Sequence, residues 1–297
     1  MHMAELLTTE EAAEHLRLSE RKLYELVSAG ALPCTKVTGR WLFPKAALDR
    51  WLTSSLVTPA GMTWPVRPPI VGGSQDPLLD WALRESGCGL ASLPEGSESG
   101  LRRLARGEVM AAAIHLHRLE GDDENANVEA VTQAPGLHDA VVIAFVRREQ
   151  GLVVAPGNPL DLIDMRKVAQ SHARMAQRPA GAGAQLLLVA LTARAGISAD
   201  ALALVKPVCP TGPDLGQAVR SGRADCGIAS RSVAHAAGLS FVPLVWECFD
   251  LVLHQRDYFL PGPQALFEHL RKPIFRAQAA ELQGYDVAEA GRVRLVN

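Results

Sequence analysis

Length, composition and charge set the first limits on this chain. Its 297 residues are 48% hydrophobic, which is enough to bury at least one large core and allows two or three domains. Lys and Arg number 30 against 32 Asp and Glu, so the formal net charge is -2. This balance excludes a uniformly basic nucleic-acid-binding protein, and any DNA-binding surface must be local.

The cysteines and the N-terminal stretch indicate the cellular compartment of the protein. The five cysteines are scattered and form no Cys-x-x-Cys pair, which argues against both a disulfide framework and a zinc site. The opening residues "MHMAELLTTEEAAEHL" lack the basic and apolar regions of a signal peptide. No later stretch reaches the ~18 apolar residues that span a bilayer. We therefore expect a cytoplasmic protein that makes no membrane contact.

Two short helices are predicted first. Thr8 and Glu11 form a capping box for a helix that ends near Leu16. Ser19 caps a second helix, "ERKLYELVSAG", in which apolar residues recur at helical spacing and Gly30 closes the end. Together they predict a helix-turn-helix whose second helix can enter a DNA major groove.

A wing and a third helix follow. The stretch "LPCTKVTGRWLF" predicts strands over 35–37 and 41–43 around a turn at Thr38 and Gly39, and Pro44 opens a helix in "KAALDRWL". These residues resemble the excisionase-type winged helix-turn-helix family, which is related to the MerR-type regulators. The resemblance implies double-stranded DNA as a partner. The DNA contacts expected from it are Ser19, Arg21, Lys22, Tyr24, Lys36 and Arg40.

The charge of this module leaves an alternative open. Residues 1–56 hold seven Lys or Arg and seven Asp or Glu, so a solvated charged face without a DNA role would have the same composition. A single module of this kind binds DNA weakly. We therefore expect a homodimer or higher homo-oligomer on paired half-sites.

A proline-rich linker and an α/β body complete the chain. Prolines at positions 59, 65, 68 and 69 predict a linker over 56–68, between domains at 1–55 and 69–297. From Ile70, strand-like and helix-like segments alternate, as in a parallel sheet covered by helices. The stretch "HDAVVIAFVRREQGLVVAPGNP" predicts two apolar strands that cross between two lobes. A return crossing is expected near residues 243–255.

The body also carries a family resemblance. The segments "GSQDPLLDWAL", "EGSESGLRRLARGEVMAAAIHLH", "REQGLVVAPGNPLDLIDM" and "LGQAVRSGRADCGIASRSVAHAAGLSFVPLVWECFDLVL" resemble the periplasmic-binding-protein-like domain that is fused to helix-turn-helix modules and to molybdopterin-biosynthesis proteins. That domain is similar to the type II substrate-binding proteins for molybdate and tungstate. The resemblance implies an α/β fold: a winged helix-turn-helix followed by a two-lobed type II binding domain with a small ligand between the lobes.

Four loops are candidates for that ligand. Ligands of open α/β sheets lie at the carboxyl ends of strands, where loops lead into helices. The loops are "GGSQD", "EGSESG", "RPAGAGAQ" and "CPTGPD". The candidate ligand-binding residues are Ser74, Ser97, Ser99, His115, Arg178, Gly181, Ala182, Gly183, Ala184, Thr211 and Asp214. Simple helix capping is the alternative role for the residues of each loop.

One loop departs from its relatives. They usually carry a Gly-Ser-Gly-Thr-Arg type of sequence where this chain has Gly-Ala-Gly-Ala-Gln at 181–185. Two hydroxyls and a guanidinium are thus missing, which weakens the case for a small, strongly charged oxyanion. Either backbone groups and the serines hold the oxyanion, or the pocket suits a larger or less charged molecule.

Metal and catalytic motifs are weak. His115 and His117 stand two apart at a strand end, but no third ligand is evident near them, so we predict no metal and no cofactor. No nucleophile elbow or paired metal motif predicts an enzyme. The sequence favours a one-component transcriptional regulator that senses molybdate or tungstate. The alternatives are a sensor of a small organic acid, an accessory protein of molybdenum-cofactor metabolism and an architectural DNA-binding protein.

Overall fold

The computed structural model describes residues 6–37, 39–54, 66–119 and 123–297. The chain forms two compact units, Met1–Pro65 and Val66–Asn297. Most of the predicted linker over 56–68, and Thr38 of the predicted wing turn, lie outside the described residues. Each unit is considered by itself.

The first unit is a winged helix-turn-helix, as predicted. Its elements are β1 Leu6–Leu7, α1 Thr9–Leu16, α2 Glu20–Ser28, β2 Thr35–Val37, β3 Arg40–Pro44 and α3 Lys45–Ser54. The strands form one sheet in the order β1-β3-β2. The predicted capping box is present, since the Glu11 amide donates to the Thr8 hydroxyl and the Thr8 amide donates to the Glu11 carboxylate. Leu23, Phe43 and Leu48 are fully buried at the centre of a small core, so both helices and the wing pack together.

The second unit alternates strands and helices. In its first half lie β4 Ile70–Gly73, α4 Pro77–Glu85, β5 Ala91–Pro94, α5 Ser97–Ala105, β6 Ala111–Ile114, α6 Ala126–Gln133 and β7 Ala140–Val154. Next come α7 Met165–Gln170, β8 Arg174–Ala176, α8 Gly183–Arg194, the 3-10 helix Ala199–Ala201, β9 Ala203–Leu204, α9 Gly212–Arg220, β10 Cys226–Ser230 and α10 Arg231–Ala237. The chain ends with β11 Ser240–His254, α11 Gln255–Tyr258, α12 Pro261–Leu270, α13 Pro273–Leu282, β12 Tyr285–Asp286 and β13 Val293–Val296.

Two long strands join the halves of this unit into two lobes. The sheet order is β5-β4-β6-β11-β7-β10-β8-β9, and β12 and β13 also pair with β7. Parallel strands β5, β4 and β6 belong to the first lobe, and parallel strands β10, β8 and β9 belong to the second. Between them β7 and β11 run antiparallel along their whole length, from Ala140 opposite His254 to Val154 opposite Ser240. The hinge is therefore this strand pair.

The hinge corrects one prediction. The stretch from residue 138 to 159 was expected to hold two strands, whereas β7 is a single strand of 15 residues. Its polar centre, residues 147–150, resembles a turn in the sequence but does not end the strand. The reason is that Arg148 and Gln150 are buried with polar partners, so the hydrogen-bond ladder continues through them.

Each lobe has its own hydrophobic core. In the first lobe Phe145, Phe249 and Phe275 are fully buried beneath α4, α12 and α13. In the second lobe Met175, Leu187 and other apolar side chains fill the space between the sheet and α8. Each lobe also holds a second cluster, around Leu104 and Ile114 in the first lobe and around Leu215 and Val219 in the second, so no cluster of the described residues is shared evenly by both lobes.

Some elements were not predicted from the sequence. They include α6, β8, β9, β12 and β13. The four strands span only two to four residues, which is too short for alternation of apolar and polar side chains to be recognised. Among the described residues, no helix combines the length and apolar character needed to cross a membrane.

A close approach of backbone in the first lobe yields a prediction. A Cβ at Gly100 of α5 would lie 2.6 Å from the Gly73 Cα of β4. The Gly100→Ala variant is therefore expected to lose about 1–3 kcal/mol of unfolding free energy, because the helix must move off the sheet. Urea denaturation measures the loss. The control is Ser99→Ala on the same helix, for which a change within about 0.5 kcal/mol is expected. Equal stabilities of the two variants would contradict the packing described here.

Candidate functional site

A cavity lies between the lobes at the loops that the sequence indicated. Its volume is about 50 Å³, which is room for roughly three to five water-sized groups. Seven of the eleven predicted ligand residues line it: Ser74, His115, Arg178, Ala182, Gly183, Ala184 and Thr211. Ser97, Ser99, Gly181 and Asp214 do not.

Ser97 lies behind the cavity wall and is fully buried. Its hydroxyl donates to the His115 carbonyl and accepts from the His115 amide, both at 3.0 Å. The Ser74 hydroxyl lies 2.8 Å away. Because the single Ser97 proton is already given to the carbonyl, Ser74 must be the donor of this bond. Ser74 therefore offers the cavity an acceptor oxygen, not the donor that the sequence led us to expect.

Three further predicted residues have local roles. Ser99 accepts a hydrogen bond from Arg102 at 2.9 Å. Asp214 is exposed and completes a capping box with Thr211, whose hydroxyl donates to the Asp214 carboxylate at 2.6 Å. The capping alternative thus accounts for the contacts of Asp214 and the Thr211 hydroxyl, although Thr211 also lines the cavity. Ser99 lies inside α5, and its partner Arg102 belongs to the same helix.

The glycine loop 181–184 closes one side of the cavity. Gly181 has φ +81°, a conformation that glycine adopts without strain. A Cβ at Gly183 would lie 2.2 Å from the His115 ring, so the helix start packs directly on that side chain. Ala182, the N-cap of α8, gives no side-chain hydrogen bond. The amides of Gly183 and Ala184 therefore remain donors at a helix N-terminus, where an anion is favoured.

Arg178 supplies the cation of the second lobe. Its Nε donates to the Cys209 carbonyl at 3.0 Å and one Nη to the Pro210 carbonyl at 2.9 Å. Within the part of the chain that the structure describes, no carboxylate forms an ion pair with it. Burial, together with the charge of Arg148, lowers the pKa of Arg178 to about 10. The guanidinium thus borders the cavity as a cation that feels the charge of Asp214 but forms no ion pair in the described part of the chain.

A second arginine, which the sequence analysis missed, stands on the hinge. Arg148 is 3% exposed and donates to Glu247 at 2.5 Å and to Asp76 at 2.7 Å. Burial would lower its pKa, but the two carboxylates outweigh burial and raise it. Gln150 donates to the same Glu247 oxygen at 2.8 Å, and the Tyr285 hydroxyl donates to Asp76 at 3.0 Å. This buried group ties the start of α4 to β7, β11 and β12.

Two histidine side chains also contact the Glu247 carboxylate. His115 Nδ1 lies 3.0 Å and His117 Nε2 lies 2.8 Å from the same carboxylate oxygen. Burial lowers the pKa of His115 to about 4. For His117 burial acts in the same direction, but hydrogen bonds to Asp123 and Glu247 outweigh it and raise the pKa to about 9. Glu247 is the third side chain near the histidine pair that the sequence did not reveal, because it follows 130 residues later.

The residues that sequence reasoning missed share one signal. Arg148 and Gln150 alternate along β7 within an otherwise buried run, and both face the cavity. Charged residues inside an apolar strand are almost never buried unless they are paired. The motif "VRREQG" therefore held a usable indication of a buried polar site.

The predicted DNA contacts lie together in the first unit. Ser19 caps α2 by accepting from the Lys22 amide at 3.3 Å. Arg21 is 90% exposed, and both it and Lys22 reach Glu25, at 3.4 and 3.1 Å. Tyr24 on the same helix is 45% exposed. Lys36 and Arg40 are exposed on the wing, with the Lys36 ammonium 5.2 Å from the Trp41 ring centre. The contacts of Arg21 and Lys22 with Glu25 are exposed and easily exchanged for phosphate.

Fold and site define the class of protein: a two-lobed binding domain preceded by a winged helix-turn-helix. The family profile described as PBP superfamily domain matches residues 81–271. The chain belongs to this superfamily. The profile described as Helix-turn-helix domain matches residues 6–55.

Similar proteins agree with this architecture. The uncharacterized protein YvgK of Bacillus subtilis (strain 168) is 25% identical, and the alignment covers 97% of each chain. A tungstate ABC transporter structure from Geobacter sulfurreducens has a TM-score of 0.52 at 12% identity, covering 71% of this chain and 97% of that one. A putative phosphate ABC transporter substrate-binding protein from Clostridium perfringens, with bound phosphate, has a TM-score of 0.50 at 11% identity, covering 72% and 96%. At these identities the two structures share the fold alone.

The buried arginine on the hinge leads to a stability prediction. The Arg148→Met variant leaves Asp76 and Glu247 buried without their cation, and a loss of about 3–5 kcal/mol in unfolding free energy is expected. Arg231→Met is the matched control, because Arg231 also pairs with a carboxylate, Glu149, at 2.5 Å and also lies over a phenylalanine ring. Its side chain is 33% exposed, so a loss of at most about 1 kcal/mol is expected. Similar losses in urea denaturation would refute the special role of Arg148.

Proposed function

We propose that this protein is a cytoplasmic one-component transcriptional regulator. Its winged helix-turn-helix, within 1–55, binds a double-stranded DNA operator. A linker over 56–68 connects it to the ligand-binding domain at 69–297, which binds a small anion between its lobes. The protein acts as a homodimer or higher homo-oligomer on paired half-sites, since one such module binds weakly. No chemical step is assigned to it.

The observation that carries the proposal is Arg178. A half-buried guanidinium without a carboxylate partner is costly in a cavity unless a ligand supplies the negative charge. Gly183 and Ala184, the first residues of α8, line the same cavity, and their amides belong to the first helical turn, whose N–H groups have no partner within the helix. These donors suit an anion, and about 50 Å³ limits it to a few heavy atoms. Molybdate and tungstate are the first ligands to test.

A second ligand class is favoured by the acceptors of the cavity. The Gln150 side chain is 2% exposed, and its amide nitrogen donates to Glu247. Its Oε1 finds no hydrogen-bond partner among the described residues. Ser74 offers an acceptor as well, as its proton is directed to Ser97. A bare oxyanion cannot donate to these oxygens. A small hydroxy acid or a protonated oxyanion can, because each carries a negative charge and a hydroxyl.

Thermal unfolding with added anions tests the role of Arg178. An anion that binds only the folded protein stabilises it by RT ln(1 + c/Kd), where c is the free anion concentration, so Tm rises with the logarithm of c once c exceeds Kd. Arg178→Met should weaken binding about 10-fold to 100-fold, the value of one or two charge-assisted hydrogen bonds. The charge-matched control is Arg223→Met, an exposed arginine of the same lobe that does not line the cavity, and it should bind as wild type does. If no anion raises Tm, the proposal of a ligand sensor is wrong and an architectural DNA-binding protein is favoured.

The same assay separates the two ligand classes. Lactate is compared with propionate, and hydrogen phosphate with sulfate, molybdate and tungstate. Stronger binding of lactate than propionate, and of hydrogen phosphate than the other three anions, supports a hydroxyl-bearing anion as the ligand. Stronger binding of molybdate or tungstate supports a bare oxyanion. An accessory role in molybdenum-cofactor metabolism would require anion binding without operator binding.

Operator binding is tested by two substitutions in the first unit. Arg21→Ala on α2 and Arg40→Ala on the wing should each weaken DNA binding and reduce the dependence of log K on log salt by about 1, because each removes a phosphate contact. Footprinting and salt titration of the full chain measure this. Arg106→Ala removes an exposed arginine of the second unit, 69% exposed, and should leave both quantities unchanged. Unchanged binding in the first two variants would overturn the placement of helix and wing on DNA.

A further inference from the structure

Three side chains beside the cavity converge on one point. His115 and His117 follow β6, and Glu247 lies on the hinge strand β11. Their side chains are 5%, 0% and 2% exposed. Both histidines approach the same Glu247 oxygen, through Nδ1 of His115 at 3.0 Å and Nε2 of His117 at 2.8 Å. Among the described residues, this is the only group of three such side chains whose ligand atoms all lie within 4.8 Å of one another.

The distances suit a tetrahedral metal ion. Zinc binds imidazole nitrogen and carboxylate oxygen at about 2.0–2.2 Å, so two ligand atoms of a tetrahedral site lie about 3.3–3.5 Å apart. The observed separations of 3.0 and 2.8 Å from the Glu247 oxygen need only a few tenths of an ångström of outward movement. Side-chain rotations of that size leave the backbone in place.

The neighbours of these side chains orient them as ligands. Asp123 lies 3.0 Å from Nδ1 of His117, so the opposite nitrogen, Nε2, faces Glu247. Arg148 and Gln150 both donate to Oε1 of Glu247, which directs Oε2 toward the histidines. A carboxylate on the outer nitrogen of a histidine and donors on the outer oxygen of a carboxylate are the usual supports of metal ligands.

The local charge favours one more cation. Asp76, Glu247 and Asp123 contribute three carboxylates, while Arg148 and Arg194 contribute two guanidinium groups that pair with them. One negative charge therefore remains in the group when the histidines are not counted. The metal-free protein offsets it with a proton on His117, and a metal ion bound between the histidines and Glu247 would replace that proton.

We propose that His115, His117 and Glu247 form a binding site for a divalent transition-metal ion of the zinc class. Two imidazoles and one carboxylate favour Zn²⁺ or Co²⁺, whereas Mg²⁺ and Ca²⁺ prefer oxygen ligands alone. Three protein ligands leave a further coordination position for water or another small molecule. His115 also borders the cavity, so the bound ion adds positive charge to its wall. The site is independent of which anion the cavity prefers.

Metal titration of the full-length protein tests the site. Protein stripped with a chelator is titrated with Zn²⁺ by calorimetry and with Co²⁺ by its visible d–d absorption. Wild type should bind one ion per chain with the absorption of a four-coordinate or five-coordinate nitrogen–oxygen site. His115→Gln and His117→Gln should each weaken binding by at least about 100-fold.

Matched controls separate this site from other histidines. His254 is also buried and also contacts a carboxylate, Asp139, at 2.5 Å, but among the described residues it belongs to no group of three metal-ligating side chains, and His254→Gln should bind as wild type does. Asp123→Asn keeps all three ligands and should weaken binding about 10-fold to 100-fold, so the test does not depend on a variant that removes a ligand. Circular dichroism verifies that each variant is folded. Failure of wild type to bind Zn²⁺ stoichiometrically, or equal binding in folded His117→Gln, overturns the proposal.

Discussion

The buried guanidinium of Arg148 is the constraint on which the second unit depends. A charge this far from water is tolerated only when carboxylates and acceptors surround it. Asp76 comes from the start of α4, Glu247 from the opposite hinge strand, and Tyr285 reaches Asp76 from the last part of the chain. The hinge, the first lobe and the C-terminal strands must therefore assemble together. This assembly also fixes the position of the cavity, because Arg148 and Gln150 form part of the cavity wall.

Much of the fold followed from the sequence because its signals were local. The capping box at Thr8 and the serine cap at Ser19 placed two helices correctly, and alternating strands and helices predicted a two-lobed domain. The hinge strand was misjudged, since four polar residues in a row resemble a turn. Only the positions of Asp76 and Glu247, 72 and 99 residues from Arg148, make that polar run compatible with a continuous strand. Such partners are brought together by the sheet order, which local patterns do not contain.

The candidate site was predicted in outline but not in its hydrogen-bond chemistry. Loops at strand ends brought seven expected residues to one cavity, as parallel-sheet geometry requires. Which of them offers a free proton could not be predicted, because a hydroxyl has only one. Ser97 and Thr211 direct theirs to protein acceptors, and Ser74 directs its own to Ser97. The donors that remain are cationic or backbone groups, namely Arg178 and the amides at the start of α8.

The hinge is not uniform along its length. Register shifts interrupt the pairing of β11 with β7 between Pro243 and Val245 and again between Phe249 and Asp250. Such irregularities bend a strand and increase its twist. The segment from Val245 to Phe249 is thus bounded by two irregularities, and Glu247 stands at its middle. The part of the hinge where the ladder changes register and the charged group buried within the domain are therefore the same piece of chain.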